Sequence, residues 1–335
     1  MSGVEFHPPA NHLYRNTPLD FAVEFAVLGI RVLFESNSRA VIQAAEESFG
    51  VWREVARRAE LCSTLSARVR LFVQDGEEGP ERHAPLRYRW PDPDRMLVAT
   101  PGSFGVAEVN RREAYAFVTI ALVADTRHFQ FGILEALTLV LVTGADRHAI
   151  HAATVSRGEA AVLLCGASAS GKSTLAYAAS RAGLQVLGEE VAYVQLQPAF
   201  RIWAMPGRLH LPFDAATHFP ELCKKPATVQ ANGKHKITVA SRSDGSSVLP
   251  VAERAGVCLL SPGADSASLE RVSPAVIEEA LTTELDEGFD RFPETAVAAV
   301  GRLARNGGWR LHVSSDPRES VALIHQMVSE VAAES

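Results

Sequence analysis

The sequence predicts an α/β protein in two parts, with its chemistry in the second. Three observations carry this. Phe21, Val23, Phe25 and Val27 alternate, as in a half-buried strand. AAVLLC at 160–165 is an unbroken apolar run, as in a strand covered on both faces. Leu175, Ala178, Ala179 and Ala182 then repeat at helical spacing.

A chain of 335 residues suits about two domains. Hydrophobic residues make up 47%, enough for full cores. The net charge is −6 and the basic residues are scattered, which argues against a nucleic-acid partner, because phosphate backbones select concentrated positive surfaces. Cys62, Cys165, Cys223 and Cys258 lie far apart with no zinc-ligand spacing, so a reducing, cytoplasmic setting without disulfides is expected. The N-terminus lacks the apolar stretch of a signal peptide. The run Phe131–Ala145 is interrupted by Glu135 and is too short to span a bilayer, so no membrane partner is expected.

Along the chain, residues 1–20 read as a polar arm. Ser36-Asn37-Ser38 offers caps for a helix carrying Val41, Ile42, Ala45 and Phe49. Val69, Leu71 and Val73 alternate before the turn-rich segment 75–85. Further strands are expected near 104–109 and 115–120. Asp125-Thr126 caps an apolar helix over 127–143, and the domain boundary is placed there: 1–125 as a smaller N-terminal α/β domain of unknown role, 126–335 as the domain with the chemistry. Strands follow at 148–152, 160–165, 185–188, 191–196 and 309–313. Helices follow at 172–182 (closed by Gly183), 274–283, 294–305 and 318–332.

Residues 166–174, GASASGKST, match the Walker A pattern in full. Gly166 and Gly171 let the loop Gly166, Ala167, Ser168, Ala169, Ser170, Gly171 curl its N–H groups toward phosphate oxygens. Lys172 is placed to bridge phosphates, Ser173 to ligate Mg²⁺, and Thr174 continues the helix whose positive end faces the same charge. ATP and Mg²⁺ are therefore the expected cofactors. Glu189-Glu190 follows the short apolar run Val186-Leu187-Gly188, at the end of a strand where α/β sheets gather ligands. The pair reads either as a metal-side acid with a base or as a solvated charge pair. For His151 the pattern is neutral, and the other histidines read as structural.

Taken together, HAATVSRGEAAVLLCGASASGKSTLAYAASRAGLQVLGEEVAYVQL resembles the catalytic core of the HPr kinase/phosphorylase family and its serine-kinase relatives. The order is a histidine-small pair, a short strand, the loop, a helix ending in glycine and an acidic pair. The resemblance covers 148–196 well and 197–330 more loosely. It implies a nucleotide-binding core like that of phosphoenolpyruvate carboxykinase, with a mixed sheet. It also implies Glu189 as general base, Glu190 as second metal ligand beside Ser173, His151 near the reacting phosphate, and a tendency to form homo-oligomers. The enzyme naming the family has two aspartates where this chain has Glu189-Glu190. The helix here begins KST rather than KSE, and no copy of the phosphorylase-associated segment is found. Those departures point to a hydroxyl acceptor other than HPr, on a protein, a peptide or a small molecule. Arg208, Lys234 and Lys236, near strand-like segments, read either as stabilisers of transferred charge or as solvated strand edges. Two alternatives stay open: a nucleotide-binding regulatory or scaffold module without turnover, and a small-metabolite kinase of the shikimate or gluconate type.

Overall fold

The computed structural model describes residues 17–74, 85–229, 235–240, 249–283 and 292–334. Residues 1–16 of the arm expected over 1–20, residues 75–84 of the segment 75–85, and Lys234 lie outside the described residues. The chain forms two compact units, Met1–Ala145 and Asp146–Ser335. The division therefore falls later than the boundary expected at 125/126. The apolar segment after Asp125 belongs to the first unit because it packs on that unit's own sheet.

Seven strands form the sheet of the first unit: β1 (Phe21–Val27), β2 (Ile30–Ser36), β3 (Ser66–Gln74), β4 (Arg87–Asp92), β5 (Arg95–Thr100), β6 (Ser103–Glu108) and β7 (Glu113–Thr119), in the order β1-β2-β3-β7-β6-β5-β4. β3 pairs in parallel with β2 and β7, and the remaining pairs are antiparallel, so the sheet is mixed. The helix Arg39–Phe49 buries Val41, Ala44, Ala45 and Phe49, with Phe49 stacked on Phe34 at 5.2 Å. Ser36-Asn37-Ser38 does not cap it through a side chain. Instead the Asn37 side chain donates to Val73 O at 2.9 Å and accepts from Val73 N at 2.8 Å, extending the β2–β3 ladder where the backbone has left it. An Asn side chain copies a peptide group, which is why it competes with capping here.

The helix expected over 127–143 is present from Thr126 to Thr143 and is widened in its middle. Asp125 caps Thr126–Phe129 by accepting from His128 N, a π-type turn spans Gln130–Glu135, and Ala136–Thr143 is buried at all its positions. Gly132 sits in the wide turn, where a Cβ would lie 1.8 Å from Leu86 Cδ1 and where Tyr88 Oη donates to its carbonyl at 2.9 Å. Close approach of a neighbouring side chain accounts for the widened turn. Burial within this turn pushes the Glu135 carboxyl up to about 7. Such an acid folds best protonated, so stability is lost as pH rises from the ordinary glutamate range through about 7. Glu135→Gln is expected to add roughly 1–3 kcal/mol at about pH 8 and almost nothing at about pH 4. Denaturant melts at the two pH values check this; equal gains at both would assign the effect to packing alone.

In the second unit a nine-stranded sheet has the order β16-β12-β11-β8-β9-β17-β19-β18, with β10 also paired to β8. The strands are β8 (His148–Arg157), β9 (Ala160–Cys165), β10 (Gln185–Gly188), β11 (Val191–Gln195), β12 (Arg201–Ala204), β16 (Val251–Ala252), β17 (Arg254–Ala264), β18 (Ser268–Val272) and β19 (Gly308–Ser314). β9, β17 and β19 run parallel, while β8 is antiparallel to β9. A small second sheet, β13 (Arg208–Pro212), β15 (His235–Ala240) and β14 (Ala227–Val229), has the order β13-β15-β14.

AAVLLC is apolar throughout because both faces of β9 are covered. Ala160, Val162 and Leu164 join one core with Leu175, Ala179, Ile324 and Val328 from the helices Lys172–Arg181 and Val321–Ala333. Ala161, Leu163 and Cys165 join the other with Ile277, Leu281, Ala299 and Val300 from the helices Pro274–Thr283 and Pro293–Ala304. The chain is thus an α/β protein with mixed sheets. β17, central in this sheet, passed unrecognised in the sequence because Gly256, Pro262 and Gly263 punctuate it. Gly256 is there for space, since a Cβ would lie 2.5 Å from the Trp309 ring packed over it. Among the described residues no helix is long and apolar enough to cross a membrane.

Candidate functional site

Parallel pairing brings the C-terminal ends of β9, β17 and β19 to one edge, the edge at which open α/β sheets collect ligands. Beyond it lies a cavity of about 550 Å³, lined by the loop after β9, by Pro262 of β17 and by Ser314-Ser315 at the end of β19. The loop from Gly166 to Gly171 leads from β9 into the helix Lys172–Arg181, giving the strand–loop–helix expected from the sequence. Its curl comes from Gly166, Ala169 and Gly171, with φ of 153°, 66° and 98°. At Gly166 a Cβ would lie 2.9 Å from Ser170 Oγ, so both conformation and space select glycine there.

Lys172 is 8% exposed, and its Nζ donates to the carbonyls of Gly166 and Ala167. The ammonium thus lies folded inside the loop. Ser170 is 5% exposed, and its buried Oγ has no hydrogen-bond partner among the described residues. Ala167, Ser168 and Ala169 face solvent, whereas Ser173 and Thr174 are half-buried on the first helical turn. All but Gly166 and Ala167 of the candidate loop residues border the cavity.

The acidic pair sits between β10 and β11, both antiparallel to β8. The pairing shifts by one residue between Val186 and Gly188; from there Gly188 lies opposite Thr154 and Val191 opposite His151, in one register across the pair. Glu189-Glu190 therefore interrupts one strand path, rather than ending it, and turns carboxylates toward the loop. Glu189 Oε1 accepts from the Ser173 hydroxyl at 2.7 Å. Its Oε2 accepts from His210 N at 2.6 Å and faces His210 Nδ1 at 3.2 Å. Burial alone would raise the Glu189 carboxyl. The hydrogen bonds from His210 and Ser173 outweigh that and hold it below the ordinary glutamate value. Glu190 is exposed on the cavity wall, and its backbone carbonyl accepts from Ala152 N at 3.1 Å. His151, half-buried, borders the same cavity from the neighbouring β8.

The geometry thus joins Ser173 to Glu189, whereas the family resemblance paired Ser173 with Glu190 as metal ligands. It also adds His210, a histidine that reads as structural in the sequence. A signal for it existed in PGRLHLP: Leu209 and Leu211 are fully buried, and strand alternation then turns His210 to the opposite face. His148, by contrast, is a structural histidine, buried between Asp146 Oδ1 at 3.0 Å and Thr295 Oγ1 at 3.4 Å. Lys236 borders the cavity from β15, opposite Pro212 in the ladder. Arg208 opens β13 opposite Ala240.

Among the described residues, no three His, Cys, Asp or Glu gather as a metal cluster. The Ser173 hydroxyl and a Glu189 carboxylate held ionised are hard oxygen donors, however, and they meet at 2.7 Å. That set fits Mg²⁺, which takes one or two protein oxygens and completes its shell with water and phosphate.

No family model matches the chain. No curated protein matches it by sequence. Among solved structures, the Hpr(Ser) kinase/phosphatase from Coxiella burnetii aligns with 55% of this chain and 99% of its own, at 11% identity and a TM-score of 0.25. A superposition that loose carries no argument about fold or activity, so the functional reading rests on the site.

Proposed function

We propose that the second unit binds ATP with Mg²⁺ at the Gly166–Thr174 loop and transfers the γ-phosphoryl group to a hydroxyl acceptor. The observation that carries this is the 2.7 Å contact between Ser173, at the start of the helix, and the ionised Glu189. A serine beside a carboxylate, directly after a glycine loop and lysine, is the arrangement by which P-loop proteins hold Mg²⁺ and the phosphates of a nucleotide. Loop N–H groups and the helix N-terminus receive the phosphates. Lys172 exchanges the carbonyls of Gly166 and Ala167 for phosphate oxygens, and the orphaned Ser170 hydroxyl gains an acceptor. Bound Mg²⁺ would neutralise charge on the phosphates, held by Ser173 and Glu189.

The two acids divide the remaining work. A base must be able to take a proton, and Glu189, with both oxygens committed, is a poor one. Glu190 is exposed on the cavity wall and has its carboxylate available to an acceptor hydroxyl. The geometry therefore supports Glu190 as proton acceptor and Glu189 as the metal-side acid, the reverse of the roles implied by resemblance. His151 and Lys236 border the same cavity and supply positive or hydrogen-bonding character toward transferred charge.

Titrating the protein with a fluorescent ATP analogue, with and without Mg²⁺, tests the reading. Binding strengthened by Mg²⁺ is expected, followed by transfer from labelled ATP to a hydroxyl among a panel of serine peptides and small alcohols. Absence of nucleotide binding would remove the proposal. Tight binding with neither hydrolysis nor transfer would favour a regulatory module without turnover.

A further inference from the structure

His210 reaches Glu189 from a different sheet, and with two donors on one residue. β13 is an edge strand of its small sheet, so one side of its backbone is not used by the β13–β15 ladder. The His210 N–H turns to that free side and donates to Glu189 Oε2 at 2.6 Å. The ring bends the same way and brings Nδ1 to the same oxygen at 3.2 Å. Opposite an ionised carboxylate Nδ1 is the donor. Leu209 and Leu211, both fully buried, lock the strand that carries these groups.

The plane of a glutamate carboxylate turns about a terminal torsion whose wells are broad and roughly two-fold. Ser173 alone, with one hydroxyl, could not set the plane of the group. Two donors on Oε2 do, and they leave Oε1 directed at Ser173. We infer that His210 is a positioning residue of the transfer site, gripping Oε2 of Glu189 so that Oε1 and the Ser173 hydroxyl form one ready-made pair of oxygen ligands. The inference rests on the nucleotide and Mg²⁺ reading above. It adds a residue from β13, outside the strand–loop–helix segment, and gives that strand a function beyond packing.

The experiment compares wild type with His210→Ala, His210→Asn and His210→Gln in the full chain. An Asn amide nitrogen occupies the place of Nδ1, whereas a Gln amide lies one bond farther out. The readout is the affinity for a fluorescent ATP analogue, measured with and without Mg²⁺, alongside thermal melts. In His210→Ala the strengthening by Mg²⁺ is expected to fall about tenfold, the order expected for a hydrogen bond to a charged group. Metal-free affinity should change by less than about twofold, because the loop N–H groups and Lys172 are untouched. His210→Asn should restore most of the Mg²⁺ effect, and His210→Gln should not. Adding Ser173→Ala to His210→Ala should cost little more than Ser173→Ala alone, since both act through one carboxylate.

Full Mg²⁺ strengthening in His210→Ala would overturn the inference. So would losses in melting temperature and metal-free affinity that Asn fails to repair, because His210 would then only support the fold. A wild-type protein that binds no nucleotide, with Lys172→Ala indistinguishable from it, would remove the nucleotide reading itself and this inference with it.

Discussion

Lys172→Ala is expected to lower phosphoryl transfer by about 10²–10³-fold, the loss found when one preorganised donor to developing charge is deleted. The reason lies in how the side chain is held. Lys172 is 8% exposed, and its ammonium rests on the Gly166 and Ala167 carbonyls, inside the curl that would receive the phosphates. Moving the ammonium from those two carbonyls onto a phosphate exchanges neutral acceptors for a charged one. Hydrogen bonds to charged acceptors are roughly twice as strong as neutral ones. The exchange therefore favours the bound state. The fold should survive, because the helix buries Leu175, Ala176 and Ala179 against β8 and β9 independently of the lysine head group. Circular dichroism and a melt check the fold, and single-turnover transfer from labelled ATP checks the chemistry. Unchanged turnover in a folded Lys172→Ala protein would refute the assignment of the loop.

The loop could be read in the sequence because its constraints are local. Strand, turn and helix follow one another within residues 160–181, and each leaves its own mark: a run buried on both faces, glycines where φ is positive, and helical spacing of Leu175, Ala178 and Ala179. Glu189-Glu190 was legible for the same reason, lying soon after that helix. His210 was not. Its meaning depends on Glu189, 21 residues earlier and in a different sheet, and a single strand-borne histidine carries no mark of such a partner.

The fold shows the same division. β9 reads clearly, yet its parallel neighbour β17 does not, because Gly256 makes room for Trp309 from β19 and so looks like a turn signal. β4 does alternate, exposed Arg87 and Arg89 with half-buried Tyr88 and Trp90, but the pattern is only four residues long before Pro91, which speaks against a strand. The domain boundary failed on a similar point. Asp125 does cap a helix, but a cap starts an element and does not show which sheet the element will cover.

Glu190→Gln and Glu189→Gln are expected to fail in different ways, and the difference decides between two assignments of the acid pair. Glu190→Gln removes the exposed carboxylate while leaving Ser173, Glu189 and His210 in contact. Turnover should fall by about 10²–10⁴-fold, the usual contribution of general acid–base catalysis, with nucleotide affinity within about twofold of wild type. Glu189→Gln is nearly isosteric but meets three donors, from Ser173, His210 N and His210 Nδ1. A carboxylate accepts from all three; an amide can accept at one oxygen only. The oxygen stays with the two N–H groups, and the amide N–H₂ turns to the Ser173 hydroxyl, which reverses to accept. That reversal places a donor where an oxygen ligand stood and removes the charge. Mg²⁺-dependent nucleotide affinity should therefore fall by about tenfold or more, together with turnover. Transfer rates and analogue affinities for both variants, with and without Mg²⁺, separate the cases. The opposite outcome, in which Glu189→Gln loses turnover alone and Glu190→Gln loses Mg²⁺-dependent affinity, would return the base to Glu189. The hydrogen bonds holding Glu189 would then be expected to loosen on nucleotide binding, since donors that favour the ionised carboxylate weaken it as a proton acceptor while they persist.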